Sequence, residues 1–297
     1  MTAHPLPRDL RGYGEHPPEV LWPGGSRVAV SLVINVEDGS ERSRARGDDA
    51  DDLGAHWTAH PAHPHQRNLD LESAFEYGAR AGIWRLLRTL RRHDARATAF
   101  CCAAALEVNP RIAEALVRDG HEIADHGLLW EPHTLLSPED EHARMVRSRE
   151  IIEALTGRRP TTWYSRDGLT EHSRSSMIAE GFRYDANSFN DDVPHAGPDG
   201  LALPVIPYAG DTNDSALLRQ YPTAASFAGH LCNALDMLLD DPREGAGVLS
   251  VGLHPRLIGR PAYIGALDAL LRRAREKGAW IATREQIAEH WSRAIAA

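Results

Sequence analysis

Val28-Ala29-Val30-Ser31-Leu32-Val33-Ile34-Asn35-Val36 is a mostly apolar, β-branched run that stops at Glu37-Asp38-Gly39. Such a run suits a strand covered on both faces, as parallel strands beneath helices are. Two ionisable residues at its end, where a core normally excludes charge, mark a candidate site. One can act as a general base whose pKa the other raises, or the pair can simply cap a loop or bind an arginine. Neighbours on a strand face opposite ways, but Gly39 allows a turn that brings both side chains to the rim.

Outward from this strand the chain is irregular on both sides. Residues 1–26 are rich in Pro and Gly and read as an N-terminal arm. From Ser40 to about Leu69 the sequence is polar, with clustered Asp, His and Pro; roughly 30 residues without periodicity point to a functional loop or disorder, and we read a lid-like insertion over 40–69. Ala79, Ile83, Leu86, Leu87 and Leu90 then fall at helical spacing, predicting a helix over 73–93 followed by the strand-like Ala97-Thr98-Ala99-Phe100-Cys101. The alternation recurs: helix 110–119 from Pro110, strand 122–124, helix 138–156 between Ser137-Pro138 and Gly157, strand 162–165 and helix 171–180. A strand near 203–206, helix 223–240, strand 248–253, helix 262–277 and a last helix opened by Thr283 and Gln286 complete it. Repeated strand-then-helix order without a linker predicts one α/β catalytic domain over 1–297. In a barrel of parallel strands Glu37, His126 and His254, each just after a strand, converge on one face. An open doubly wound sheet is the competing architecture, disfavoured because no Gly-x-Gly-x-x-Gly turn follows any strand.

Charge narrows the partners. With 33 basic and 42 acidic side chains the formal charge is −9, and Lys277 is the only lysine, so neither a nucleic-acid footprint nor a polybasic membrane patch can be assembled. No stretch approaches the ~20 apolar residues that span a bilayer, and Met1 to Gly14 has no apolar secretory core. Three cysteines, with Cys101 and Cys102 adjacent, suggest no disulfide framework. A soluble cytoplasmic protein acting on a small molecule is expected.

Asp125-His126-Gly127-Leu128-Leu129-Trp130 follows a strand, so His126 can bind a metal or transfer protons. A hydrolytic zinc site wants three protein ligands, yet the position four residues after His126 is Trp130, and Pro132 makes His133 awkward to align. His254, fixed by Pro255, is placed either as a structural histidine or as an acid that protonates a leaving nitrogen, and Arg256 and Arg260 can clamp polar oxygens. Trp163, Tyr164 and Arg166 suit a pocket wall or plain packing. Asp211-Thr212-Asn213-Asp214 reads as a polar-ligand loop or an Asx turn. His56, His60, His63 and His65 tempt a metal assignment, but Pro61 and Pro64 break regular ligand spacing.

Together these segments resemble the polysaccharide deacetylase, or NodB-homology, family, and within it the branch of metal-independent allantoinases and cyclic-imide hydrolases. The resemblance runs from Arg8 through Trp291 and is most specific at Asn35-Val36-Glu37-Asp38-Gly39, Glu76-Tyr77-Gly78-Ala79-Arg80-Ala81-Gly82 and Glu122-Ile123-Ala124-Asp125-His126-Gly127. It continues at Trp163-Tyr164, Tyr184-Asp185-Ala186, Ile206-Pro207-Tyr208, Asp211-Thr212-Asn213-Asp214 and Ser250-Val251-Gly252-Leu253-His254. It implies a single deformed (β/α) barrel and hydrolysis of a non-peptide C–N bond, with Glu37 as base, Asp38 as the usual metal ligand, His126 as the first metal-binding histidine and His254 as acid. Trp130 stands in the place of the second metal histidine, a replacement that the allantoinase-like branch shares, which implies metal-free catalysis with no cofactor. The sequence departs from that branch at Glu37-Asp38, where two glutamates are usual, and at Ser165-Arg166-Asp167.

The expected reaction is ring opening of a small cyclic ureide or imide such as allantoin. Glu37, aided by Asp38 or His126, activates water, and Arg166, backbone amides near Trp163-Tyr164 and His254 stabilise the oxyanion. Trp130, Trp163, Tyr164, Arg166, Asn213 and Arg256 are the candidate substrate-binding residues. The alternatives are a zinc-dependent N-deacetylase of an acetylated sugar or small amine, holding one divalent ion at Asp38 and His126, and a catalytically inactive ligand-binding barrel. The resemblance also implies a homotetramer.

Overall fold

The computed structural model describes residues 8–53, 65–197, 203–218, 220–241 and 246–296. Its axis is the quoted run itself, strand β1 (Val28–Val36), buried at every position. The other strands, all parallel to it, are β2 (Thr98–Cys101), β3 (Glu122–Asp125), β4 (Gly247–Leu253) and β5 (Trp280–Ala282). β4 lines one edge of β1, with Val28 opposite Gly247 and Ile34 opposite Leu253. On the other edge β5 pairs with Ala29–Ser31 and β2 with Val33–Val36, and β3 lies beyond β2. Past β3 the wall continues in single parallel bridges, Asp125 to Trp163 and Asp185 to Val205, and returns to β4 through Asn213 and Gly252. The result is an α/β barrel with a deformed wall. The strands expected at 162–165 and 203–206 are reduced to bridges, and in the second Pro204 has no N–H to give a ladder.

The helices are α1 (Leu69–Tyr77), α2 (Ile83–Arg92), α3 (Ala103–Val108), α4 (Pro110–Arg118), α5 (Pro138–Thr156), α6 (Ser173–Ala179), α7 (Ala224–Leu239), α8 (Gly265–Glu276) and α9 (Arg284–Ile295). The helix expected over 73–93 starts earlier, at Leu69, because the Asn68 side chain accepts the Leu71 N–H at 3.1 Å. It is also interrupted by a π-helical turn, Gly78–Gly82. Both glycines there allow close approach: a Cβ on Gly78 would overlap the Asp38 carboxylate, and one on Gly82 would overlap the carbonyl of Pro255. α9 opens with the expected capping box between Thr283 and Gln286.

The facing of the side chains along β1 alternates, as the pleat dictates. Val28, Val30, Leu32, Ile34 and Val36 pack outward with Ile83, Leu86, Leu90, Leu231, Leu267 and Leu270 of the helices. Ala29 and Val33 face inward with Phe100, Tyr184, Tyr208 and Trp291. The interior also holds a plug, the fully buried Arg284, whose guanidinium donates to Ser250 Oγ at 2.5 Å and to the carbonyls of Pro207 and Ile206. Residues 40–53 of the expected lid carry their own hydrogen bonds, with Ser43 capping a short helical turn at Arg44–Arg46. His56, His60 and His63 lie outside the described residues, and His65 is exposed. Among the described residues no helix is long and apolar enough to cross a membrane.

Gly82→Ala is expected to lower the free energy of unfolding by about 1–3 kcal/mol, because the Pro255 loop must shift to admit the methyl group. Arg88→Ala, on the exposed face of the same helix, should change it by less than about 0.5 kcal/mol. Urea denaturation of both variants provides the comparison.

Candidate active site

Because the strands are parallel and in register, the residues following them stand at one end of the barrel. Val36 is level with Cys101 and Asp125, so Glu37 and His126 are the next residues up on their strands, and His254 follows Leu253, which is level with Ile34. The alternation along β1 continues past its end. Glu37 therefore turns inward and Asp38 turns toward Gly78 of the π turn.

Glu37 is the hub. Its Oε1 lies 3.2 Å from Nε2 of His126 and 3.4 Å from Nε2 of His254, and its Oε2 lies 2.7 Å from Nη1 of Arg256. The same Nη1 donates to Asp38 Oδ1 at 3.2 Å. Arg256 is fully buried, its guanidinium 4.9 Å from the centre of the Trp130 ring and 5.0 Å from that of Phe75. Behind His254, Asp214 accepts Nδ1 at 2.6 Å and the backbone N–H groups of His254 and Ile258 at 2.7 and 3.2 Å. His126 donates from Nδ1 to the carbonyl of Tyr164 at 3.0 Å, since a carbonyl only accepts. Beneath His126, buried Asp125 accepts from Gly127 N and Ser148 Oγ at 2.7 and 2.6 Å and shapes the turn, where Gly127 has φ +90°.

These contacts set the charge states. Burial pushes the Glu37 carboxyl up, but Arg256, His254 and the hydrogen bonds from both histidines outweigh it and hold the group well below the usual carboxylate range. Asp38 goes the other way: burial, reinforced by the Glu37 charge, raises it to about 7 against the pull of Arg256. Burial draws His254 down, yet the charges of Glu37 and Asp214 prevail and raise it to about 9. The site thus pairs an ionised carboxylate with a protonated imidazole, the equipment for moving one proton from water and delivering another to a leaving group.

The remaining expected residues divide between the site and its surroundings. Tyr164 stacks on Phe100 with centroids 4.8 Å apart and sits 5.1 Å from the His126 ring. Asn213 donates to the Tyr208 hydroxyl at 3.1 Å. Trp130 carries Arg166 on its face, the guanidinium 3.7 Å from the ring centre, and Arg166 also donates to the Trp130 carbonyl and pairs with Asp52. That places Arg166 where residues 40–53 meet the site. The Trp163 side chain points elsewhere, into a cluster with Met145, Met177, Phe182 and Leu203, and meets buried His133 edge-on at 4.9 Å. Arg260 lies over Tyr77, its Nε donating to the Arg256 carbonyl. Sequence reasoning missed the pairing of Asp214 with His254 and gave Tyr208 no role beyond its place in the Ile206-Pro207-Tyr208 match; Asp214 stood in a noted Asx-rich stretch, but nothing in one sequence links it to a residue 40 positions later.

A divalent ion at Asp38 and His126 is the group implied for deacetylases. The donor set does not fit one. Arg256 already places a permanent cation on Asp38 and Glu37, Nε2 of His126 faces Glu37, and Trp130 offers no lone pair where a second histidine ligand would stand. Among the described residues no group of three or more His, Cys, Asp or Glu side chains is arranged to hold a metal.

A barrel with an ionised carboxylate and a protonated imidazole at its strand ends has the equipment of an acid–base hydrolase, and comparison with known proteins gives the class, a hydrolase of C–N amide bonds, and the family. A polysaccharide deacetylase family model matches residues 70–183. A protein of Schizosaccharomyces pombe that bears a polysaccharide deacetylase name is 30% identical over 96% of this chain and 97% of its own. The chain belongs to the polysaccharide deacetylase family. Among solved structures, one named for polysaccharide deacetylase from Pseudomonas aeruginosa PAO1 is 37% identical with a TM-score of 0.90, covering 97% of this chain and 98% of that one. PuuE allantoinase is 36% identical, also with a TM-score of 0.90 over 97% and 98% of the two chains.

Two outcomes follow from the charge pattern. Arg256→Met should cost about 3–5 kcal/mol of stability near neutral pH by stranding buried Glu37, and the deficit should shrink on acidification as the stranded carboxylates take up protons; urea titrations at pH 5 and 7.5 measure it. The raised His254 pKa stabilises the native state fully below about 6.5 and is lost as pH rises through about 9. Asp214→Asn removes one of the charges that raise it, so the alkaline limb of the pH–rate profile should move down from about 9 by roughly one unit or more.

Proposed function

We propose that this hydrolase opens the ring of a small cyclic ureide or imide without a metal. The observation that carries this reading is Arg256, bonded to both Glu37 and Asp38, which supplies positive charge where a deacetylase would need an ion. The likeness to PuuE allantoinase over nearly the whole of both chains supports the substrate class.

On this reading Glu37 takes a proton from water as the water oxygen attacks a ring carbonyl and the carbonyl electrons move to oxygen. The tetrahedral centre then collapses, the C–N bond breaks and the electron pair goes to nitrogen, which receives the proton of His254. Asp214 holds the His254 ring in place and keeps it charged until that transfer. As His254 gives up its proton, Glu37 loses a neighbouring positive charge and becomes a stronger base, so the two transfers favour one another. Hydrolysis of an acyl–nitrogen bond in this way yields an open-chain carboxylate and a free nitrogen group.

A second reading, N-deacetylation, is favoured by the names of the relatives. One screen separates the two. Turnover of hydantoins, dihydropyrimidines, allantoin, succinimide-type rings and N-acetyl sugars is measured with and without chelator. Chelator-resistant opening of a ring is expected, with His254→Ala reducing it by ~100-fold or more while the fold is kept. Turnover confined to N-acetyl sugars and abolished by chelator would establish the deacetylase instead.

A further inference from the structure

The aromatic side chains around His126 form a file that runs out to solvent, and its last member is unexplained by packing. Tyr164 lies 5.1 Å from His126, Tyr208 lies 5.2 Å from Tyr164, and Phe189 lies 6.0 Å from Tyr208, ring centre to ring centre. Tyr208 is 3% exposed and pinned by its hydroxyl, which accepts from Asn213 and Asn35. Phe189 is 60% exposed, a large apolar surface left in water. It is nonetheless held on a firm turn. The Asn187 side chain donates to the Trp163 carbonyl at 2.9 Å and accepts from Ser165 N at 2.7 Å, the Ser188 carbonyl accepts from Tyr208 N at 2.7 Å, and Ser188 Oγ bonds Asn190 Oδ1 at 2.6 Å. An aromatic ring fixed by its backbone but uncovered on its face is a platform awaiting a partner with a π face, at the outer end of a row of packed rings that begins at His126 beside Glu37.

We propose that Phe189, backed by Tyr208, is the specificity-determining platform on which the flat ring of the bound substrate stacks. This rests on the ring-opening reading above. The platform supplies binding that is made before and during reaction alike, so it acts on KM more than on kcat.

The test measures kcat and KM for the wild-type protein's best planar ring substrate, a hydantoin or a succinimide-type imide, in Phe189→Ala, Phe189→Leu and Phe189→Tyr, with thermal melting of each as a control. Ala and Leu should raise KM about tenfold with kcat changed less than about threefold, and Tyr, which keeps the π face, should restore KM to within about twofold of wild type. Leu preserves apolar bulk, so a KM retained in Leu as well as in Tyr would overturn the stacking role, as would an unchanged KM in Ala or a loss carried by kcat alone. Failure of the wild-type protein to open any ring defeats the ring reading and the platform with it. Ring turnover that is indifferent to position 189 defeats the platform only.

Discussion

The contact on which the site depends is the buried guanidinium of Arg256 between Glu37 and Asp38. Placing three ionisable groups out of water is expensive, and their mutual attraction offsets that cost only when the geometry is tight. The geometry is tight because other elements give way to it. Gly78 leaves room for Asp38, Gly82 and Gly259 crowd the Pro255 carbonyl next to Arg256, and the rings of Phe75 and Trp130 cover the cation. The π turn between α1 and α2 sits at that crossing. What the arrangement provides is a fixed pattern of charge more than stability. The Arg256 cation, with His254, holds Glu37 well below the usual carboxylate range, while buried Asp38, beside the Glu37 charge, is raised to about 7.

On the opposite side of Glu37 the neighbouring cation is a histidine, which can give up its charge where Arg256 cannot. His254 is suspended between two carboxylates and titrates near 9, and its backbone is held by the same Asp214 that orients its ring. One aspartate thereby controls position, tautomer and charge of the imidazole together. The barrel explains how such distant residues meet, since the parallel register delivers residues 37, 126 and 254 to one end of the sheet with no long loop having to reach.

How much of this can be read from the sequence depends on the range of the interaction. The buried run of β1, its abrupt stop at Glu37-Asp38 and the recurrence of strand and helix are local signals, and they were enough to anticipate the parallel α/β barrel and the elements that carry His126 and His254. β5 is only three residues long and α3 six, too short to leave a periodic pattern. The bridges at Trp163 and Val205 look like strands in composition, and the second is hemmed in by Pro204 and Pro207. The π turn is invisible because its cause, the approach of Asp38 and Pro255, comes from remote parts of the chain. The same applies to the site: the cation beside Glu37 stands two residues after His254, yet no one-dimensional cue says that its side chain turns back to β1 and not outward to a ligand. Trp163 and Tyr164 show the limit from the other direction, for adjacent residues of equal promise go one into a packed cluster and one beside His126.

The inward and outward alternation of β1 makes the protein tolerant of one kind of genetic change and intolerant of another. Exchanging one outward aliphatic for another alters a contact with the helices and leaves the chemistry facing the same way. Inserting or deleting a single codon within residues 28–36 would rotate everything beyond it by half a turn, presenting Asp38 to the barrel interior with a shorter reach and sending Glu37 to the helix side. The outward letters of the strand can therefore be rewritten, but their number cannot change.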